Sequence, residues 1–415
     1  MRADVVVVGA GPAGLATAVA LAEAGREVRV IARGNGFTHW APGAVDVLAR
    51  AGGRPVDHPS DGLPLLPARH PYRLVGEPLL RRALDRFQLL TAAAGLTYEG
   101  SLDANRRQVT ALGTLRPTCL LPAPAARPLD GRVAVVGLDG FRDFAPELCA
   151  RGLRAAGHDA SARSVAPPPW GHARHFHAVD VARAVDDPGW RARLADRLGP
   201  ATRGAGVAVV PAVLGLAGGH QAWADLERRV GVPLVEAALA PPSVPGMRLY
   251  QVWLARLRQL GGRLQLGFPV TGVEVADGRV TTVVSEGASR PVATRCAEVV
   301  LATGGVAGRG IRAGRDGTLV EEVAGLHVEG FGDRMGFFAE GFLDDHPLGA
   351  AGVAVDDQLR PLDAGGAPAP GGLRAVGGLL AAHDPTAEGS REGVALATAA
   401  RVAELLAPDP SPTKG

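Results

Sequence analysis

The sequence predicts an α/β protein: a Rossmann-like domain assembled from N-terminal, central and C-terminal segments, with a second α/β domain inserted between them. Three observations carry this. Gly9-x-Gly11-x-x-Gly14 lies between an apolar strand at residues 5–8 and a helix of small residues at 15–24. Val299-Val300-Leu301-Ala302-Thr303-Gly304-Gly305 reads as a buried strand ending in small residues. Residues 373–376 read as a strand running into Gly377-Gly378, and residues 390–406 as a closing helix with Ser390 as its N-cap.

The N-terminal unit comes first. A glycine fingerprint alone is a weak signal, but here it sits inside a βαβ unit of about thirty residues whose next strand is 28–31. Each glycine then has its own role. Gly9 makes a tight turn, Gly11 lets backbone approach a pyrophosphate, and Gly14 lets helix pack on strand. The phosphates would sit at the positive end of that helix. An acidic residue usually ends the second strand, on the ribose of an adenosine; this chain has Ala32 and Arg33 there.

Later segments return to the same domain. Residues 261–266 begin a strand. Val273-Glu274-Val275 and residues 279–284 alternate around Asp277-Gly278, a hairpin signal. Between the returns, residues 132–136 and 207–210 read as strands and 144–156 as a helix, with Pro-rich residues 122–128 as a linker. The expected division is 1–121 and 246–406 for the nucleotide-binding domain, 132–245 for the insert, and a disordered tail at 407–415.

Composition narrows the chemistry. The formal charge of +2 over 415 residues gives no electrostatic case for nucleic acid or an anionic membrane. Lys414 is the single lysine, which excludes Schiff-base and P-loop chemistry and leaves arginine to grip phosphate. Cys119, Cys149 and Cys296 are scattered, so the chain has no cysteine set for an iron–sulfur cluster or a zinc ribbon. His172, His175 and His177 are the one spacing that invites a metal, but nothing completes a compact site before Asp180. The uncharged stretch 205–224 is interrupted by Pro211 and several glycines, so it is expected to be a strand and loop rather than a membrane span. The apolar N-terminal run contains Asp4 and the glycine turn, and reads as a strand rather than a signal peptide.

These pieces resemble the FAD-dependent oxidoreductases of the succinate dehydrogenase and fumarate reductase type. Finer motifs are similar to the B subunit of the anaerobic glycerol-3-phosphate dehydrogenase. They are the run from Phe37-Thr38-His39-Trp40 to Leu48, His70-Pro71-Tyr72, the run from Leu112-Gly113-Thr114 to Thr118, and Val135-Val136-Gly137-Leu138-Asp139-Gly140. Pro241-Pro242-Ser243-Val244-Pro245-Gly246-Met247-Arg248-Leu249 and the run from Gly377 to Pro385 complete the set. The resemblance runs over about residues 1 to 405, in the same order.

It implies flavin-dependent oxidation of sn-glycerol 3-phosphate to dihydroxyacetone phosphate, with electrons passed towards quinone. It also implies two partners: a flavoprotein A subunit, and an iron–sulfur C subunit that attaches the complex to the inner face of the cell membrane. This chain would then be cytoplasmic, with no span of its own. A non-catalytic flavin relay or assembly protein within the complex, and a stand-alone flavin oxidoreductase with another substrate, are the alternative readings. The flavin stays open: the fingerprint favours FAD, the resemblance implies FMN.

By the same resemblance the flavin is held by Gly9, Gly11, Gly14, Arg33, Gly34, Thr38, Ala41, Gly43, Thr303, Gly304, Gly305, Gly378, Gly389 and Ser390. His39 is the expected proton acceptor, because histidine titrates in the useful range. Arg116, Arg248 and His70 are the expected contacts to the substrate phosphate. Arg391 and Glu392 depart from the family, which is small and glycine-rich there; either they face solvent from the first turn of the helix or they alter flavin binding.

Overall fold

The computed structural model describes residues 1–169, 176–330 and 334–408. The chain forms two compact units: Met1–Phe37, Asp46–Phe87 and Trp253–Gly415 make the first, and Thr38–Val45 with Gln88–Val252 make the second.

The first unit is built on β1 (Val5–Val8), α1 (Pro12–Glu23) and β2 (Val28–Ala32). All four residues of β1 are buried, as expected for a parallel strand covered on both faces. Pro12 begins α1, where its fixed φ suits the first helical position and its missing N–H is no loss. A Cβ on Gly14 would stand 2.0 Å from the carbonyl oxygen of Gly9, so only glycine lets α1 lie this close to the strand it follows.

After a short helix, α2 (Pro71–Val75), the sheet gains β3 (Arg263–Leu266). The hairpin β4 (Val270–Ala276) and β5 (Arg279–Ser285) turns at Asp277 and Gly278, both with positive φ, and β6 (Val292–Arg295) pairs with β5. Two positive-φ residues are what a type I′ turn requires. β7 (Glu298–Leu301) and β8 (Leu373–Ala375) then complete a five-stranded parallel sheet of order β3-β2-β1-β7-β8, and α3 (Arg391–Leu406) packs against α1.

The second unit has its own parallel sheet, ordered Ala160–Val165, Val133–Leu138, Val207–Pro211 and Leu234–Ala237. Helices Pro146–Ala155, Ala178–Asp186, Pro188–Ala201 and Gln221–Val230 supply Cys149, Val181, Trp190, Leu194 and Trp223 to its core. The uncharged stretch at 205–224 is divided between the third strand, a loop and the start of the last of these helices. Among the described residues no helix is long and apolar enough to cross a membrane.

The division expected from the sequence needs correction. Residues 88–121 belong with the insert, because their backbone bonds go there: Ala111 N–H donates to Ala238 O and Ala238 N–H to Val109 O. Thr38–Val45 joins it for the same reason, since Val45 bridges Leu120, and the return to the first unit comes at Trp253 rather than residue 246. Residues 122–128 are no loose linker: Ala123–Ala125 is a buried 3-10 turn that packs with Ala44 and Leu121. Ser390 does occupy the N-cap of α3, but its hydroxyl donates to Glu388 Oε2 at 2.9 Å instead of capping the helix. Residues 409–415 of the expected tail lie outside the described residues.

Candidate functional site

A cavity of about 900 Å³ opens in the first unit, at the C-terminal ends of β1, β2 and β7 and the N-terminus of α1. That is where open parallel sheets bind ligands, and the volume suits a cofactor. Gly9, Gly11, Arg33 and Gly34 line it, as do Thr303, Gly304, Gly305 and Gly378. Eight of the expected flavin contacts, far apart in sequence, thus share one wall.

The glycines are there for different reasons. Gly9 has φ +116°, and a Cβ on it would lie 2.3 Å from the oxygen of Ala302, so it is fixed by the fold. At Gly11 the nearest atom to an added Cβ is 3.8 Å away, so the fold has room for a side chain there, at the cavity wall. The first turn of α1 carries no acidic residue to oppose an anion. This cradle fits a pyrophosphate. Arg33, at the end of β2, faces the cavity with no side-chain hydrogen bond or ion pair among the described residues.

Other expected contacts lie elsewhere among the described residues. Gly14 packs α1 on the strand rather than lining the cavity. Gly389 and Ser390 are outside the lining; Ser390 is buried on Glu388. Thr38, Ala41 and Gly43 belong to the second unit, where the Tyr98 hydroxyl donates to Gly43 O at 2.7 Å and Pro245 stands against Gly43. His39 is there too, half-buried and edge-on to Tyr250 at 4.6 Å between ring centroids. Burial lowers its pKa below the usual imidazole value, so the ring is neutral at neutral pH.

Two of the three expected phosphate contacts are corrected. Arg248 is 3% exposed and held through all three nitrogens: Nε donates to Gly215 O at 2.7 Å, Nη1 to Glu236 Oε2 at 2.7 Å and Nη2 to Glu236 Oε1 at 2.8 Å. His70 is fully buried; its Nδ1 accepts from Tyr72 N–H at 3.0 Å, capping α2, and its Nε2 meets Glu388 Oε2 at 3.1 Å. Both are buried, and neither lines the cavity. Arg116, in the strand Leu115–Thr118, donates from Nη2 to Gln108 Oε1 at 2.8 Å.

His172 and His175 lie outside the described residues, and His177 sits before the helix Ala178–Asp186 with its N–H on Asp180 Oδ2. Among the described residues no three His, Cys, Asp or Glu groups come together as a metal site.

Phe37 and Arg391 are two of the cavity residues that the sequence left unassigned. Phe37 lines the cavity just before the chain enters the second unit, and Arg391 lines it from the first turn of α3. Glu392 does not face solvent as one reading expected; it is 3% exposed. The signal in the sequence was the adjacent pair of charges in an otherwise small-residue segment, which showed that something is compensated there but not what.

The model of the FAD binding domain family matches residues 4–394. The B subunit of anaerobic glycerol-3-phosphate dehydrogenase from Yersinia pseudotuberculosis is 34% identical over 423 residues, covering 98% of each chain. The protein of Halobacterium salinarum described as the probable B subunit of the same dehydrogenase is 35% identical over 418 residues, covering 96% of each. The chain belongs to the family of anaerobic glycerol-3-phosphate dehydrogenase B subunits. Among solved structures, the 3-ketosteroid Δ1-dehydrogenase of Sterolibacterium denitrificans aligns with 98% of this chain at 14% identity and a TM-score of 0.47. As a member of that family with an FAD binding domain, the chain is a flavoprotein oxidoreductase, and FAD is the flavin that the glycine cradle fits.

Proposed function

We propose that this chain oxidises sn-glycerol 3-phosphate to dihydroxyacetone phosphate as the B subunit of a quinone-linked complex, whose other members are a flavoprotein A subunit, which is a second flavin carrier, plus an iron–sulfur C subunit. What carries the reading is the glycine-walled cavity in a chain matched along 98% of its length by a relative named for that activity. FAD, when bound, supplies the hydride acceptor. The chain's residues do the rest: Gly9, Gly11 and the N-terminus of α1 receive the pyrophosphate, and His39, kept neutral by burial, takes the hydroxyl proton. Arg116 remains the arginine proposed for the substrate phosphate, since Arg248 and His70 are engaged internally. Cys119, Cys149 and Cys296 are all buried, so the iron–sulfur step is assigned to the C subunit, which would also tie the complex to the inner face of the membrane.

The test is anaerobic mixing of the FAD-loaded chain with glycerol 3-phosphate. Bleaching of the flavin absorbance is expected, with a rate roughly a hundredfold lower in His39→Gln. The engagement of Arg248 by Glu236 favours a second reading, an electron relay between other subunits. Bleaching that requires the flavoprotein partner would select the relay and overturn the catalytic assignment.

A further inference from the structure

Arg391 is the one cavity-lining arginine, among the described residues, whose guanidinium is fixed by protein groups on several sides. Its Nε donates to Glu392 Oε1 at 2.9 Å, its Nη2 is 3.7 Å from Asp46 Oδ2, and its Cζ lies 4.6 Å above the ring of Phe37, another cavity residue. Glu392 is fixed in turn, since its Oε2 accepts from Asp46 N–H at 3.4 Å. Asp46 and Glu392 are each 3% exposed and neither lines the cavity. The arrangement is layered: the cation at the cavity wall, the two carboxylates behind it.

Layering decides the sign of the effect. The nearest charge dominates where water is excluded, because the Coulomb energy falls with distance and is screened least there. Reduction adds negative charge to the cofactor in this cavity, and a fixed cation at the wall favours that added charge. The buried carboxylates act against it and hold the arginine in place. This also explains how a bulky charged pair is accommodated in the first turn of α3: one member is buried as the counter-ion of the other.

We propose that Arg391 is a potential-setting residue for the flavin, with Glu392 as its opposing counterweight. The inference rests on the cavity being the FAD site. It assigns opposite roles to two neighbours in sequence, which a merely structural pair would not show.

The experiment is a redox titration of the full FAD-loaded chain, as wild type, Arg391→Gln, Arg391→Lys and Glu392→Gln, together with FAD dissociation constants from fluorescence. Arg391→Gln is expected to lower the two-electron midpoint, weakening the preference for the reduced over the oxidised cofactor about tenfold, or about 30 mV. Glu392→Gln is expected to raise it by a similar amount, and Arg391→Lys to stay near wild type. Shifts of the same sign, or no shift, overturn the inference. Should Arg391→Gln fail to fold with two buried carboxylates uncompensated, the rise in Glu392→Gln and the constancy of Arg391→Lys still decide it. A wild-type chain that binds no FAD overturns the cavity assignment itself, which is a different failure.

Discussion

His70 Nε2 donates a hydrogen bond to Glu388 Oε2 at 3.1 Å, across 318 positions of sequence. The direction is settled by the other side of the ring: Nδ1 accepts from Tyr72 N–H, so the proton is on Nε2. Glu388 also receives Ser390 Oγ–H and Asp384 N–H, and this carboxylate closes the loop from Asp384 to Ser390. Asp384, Pro385 and Thr386 of that loop are cavity wall. His70 therefore shapes the wall through Glu388 and is itself outside the cavity lining.

Glu388→Ala is expected to destabilise the first unit by about 2–3 kcal/mol, because three donors lose their acceptor and two of them are buried. FAD affinity should fall with it, whereas the fall should be smaller in Glu388→Gln. Thermal unfolding with and without FAD reads both. Unchanged FAD affinity in Glu388→Ala would show that the loop holds its shape without the carboxylate.

Gly9 and Gly11 should respond differently to the same added methyl. Gly9→Ala drives a Cβ into the Ala302 carbonyl at a positive φ and should lower the melting temperature sharply. Gly11→Ala meets nothing closer than 3.8 Å in the protein, so the melting temperature of the FAD-free chain should stay near wild type while FAD binding is lost. Equal loss of stability in both would contradict the division between fold glycine and cofactor glycine.

In the second unit, Arg248→Met should cost about 3–5 kcal/mol by leaving Glu236 buried without its partner. Glu236 still accepts from Leu214 N–H, which is not enough to neutralise it. The double variant Arg248→Met with Glu236→Met should recover part of that stability. Denaturant unfolding of the two singles and the double gives the coupling directly.

Acid should unfold the chain earlier than its carboxylates alone would. Burial lowers His220 from 6.5 to about 4, helped by the charge of Arg248, and lowers the buried His383 to about 4 as well. Each folded pKa lies below its unfolded value, so the unfolded chain binds the proton first. The stabilising contribution is present in full above 6.5 and is lost as pH falls towards 4. The loss is up to about 3 kcal/mol per histidine. Melting temperature against pH should decline across that window, and His383→Phe should flatten the decline.

The nucleotide-binding half was legible in sequence because its signals are local. A strand, a glycine turn and a helix follow one another within thirty residues, and Gly9 and Gly14 are demanded by close backbone approach that no other residue permits. The hairpin at Asp277-Gly278 was legible for the same reason. The insert's limits were not, since residues 88–121 are assigned to it by pairings such as Val109 with Ala238, which leave no local mark.

The burial of Arg248 and His70 was hidden from the sequence for a related reason. An arginine in a chain with one lysine looks available until its counter-charge is known, and Glu236 lies twelve residues upstream of Arg248, on a strand, while Arg248 is in the helix Val244–Gln259. The sequence alone determined the sheet that begins with β1, the glycine turn at its end, and arginine rather than lysine as the strong cation on hand. Tertiary structure alone decided which charges are engaged: Arg248 and His70 in the interior, Arg391 at the cavity wall. Hydrogen bonds and burial pair groups by proximity in space, and proximity across hundreds of residues is a property of the folded chain.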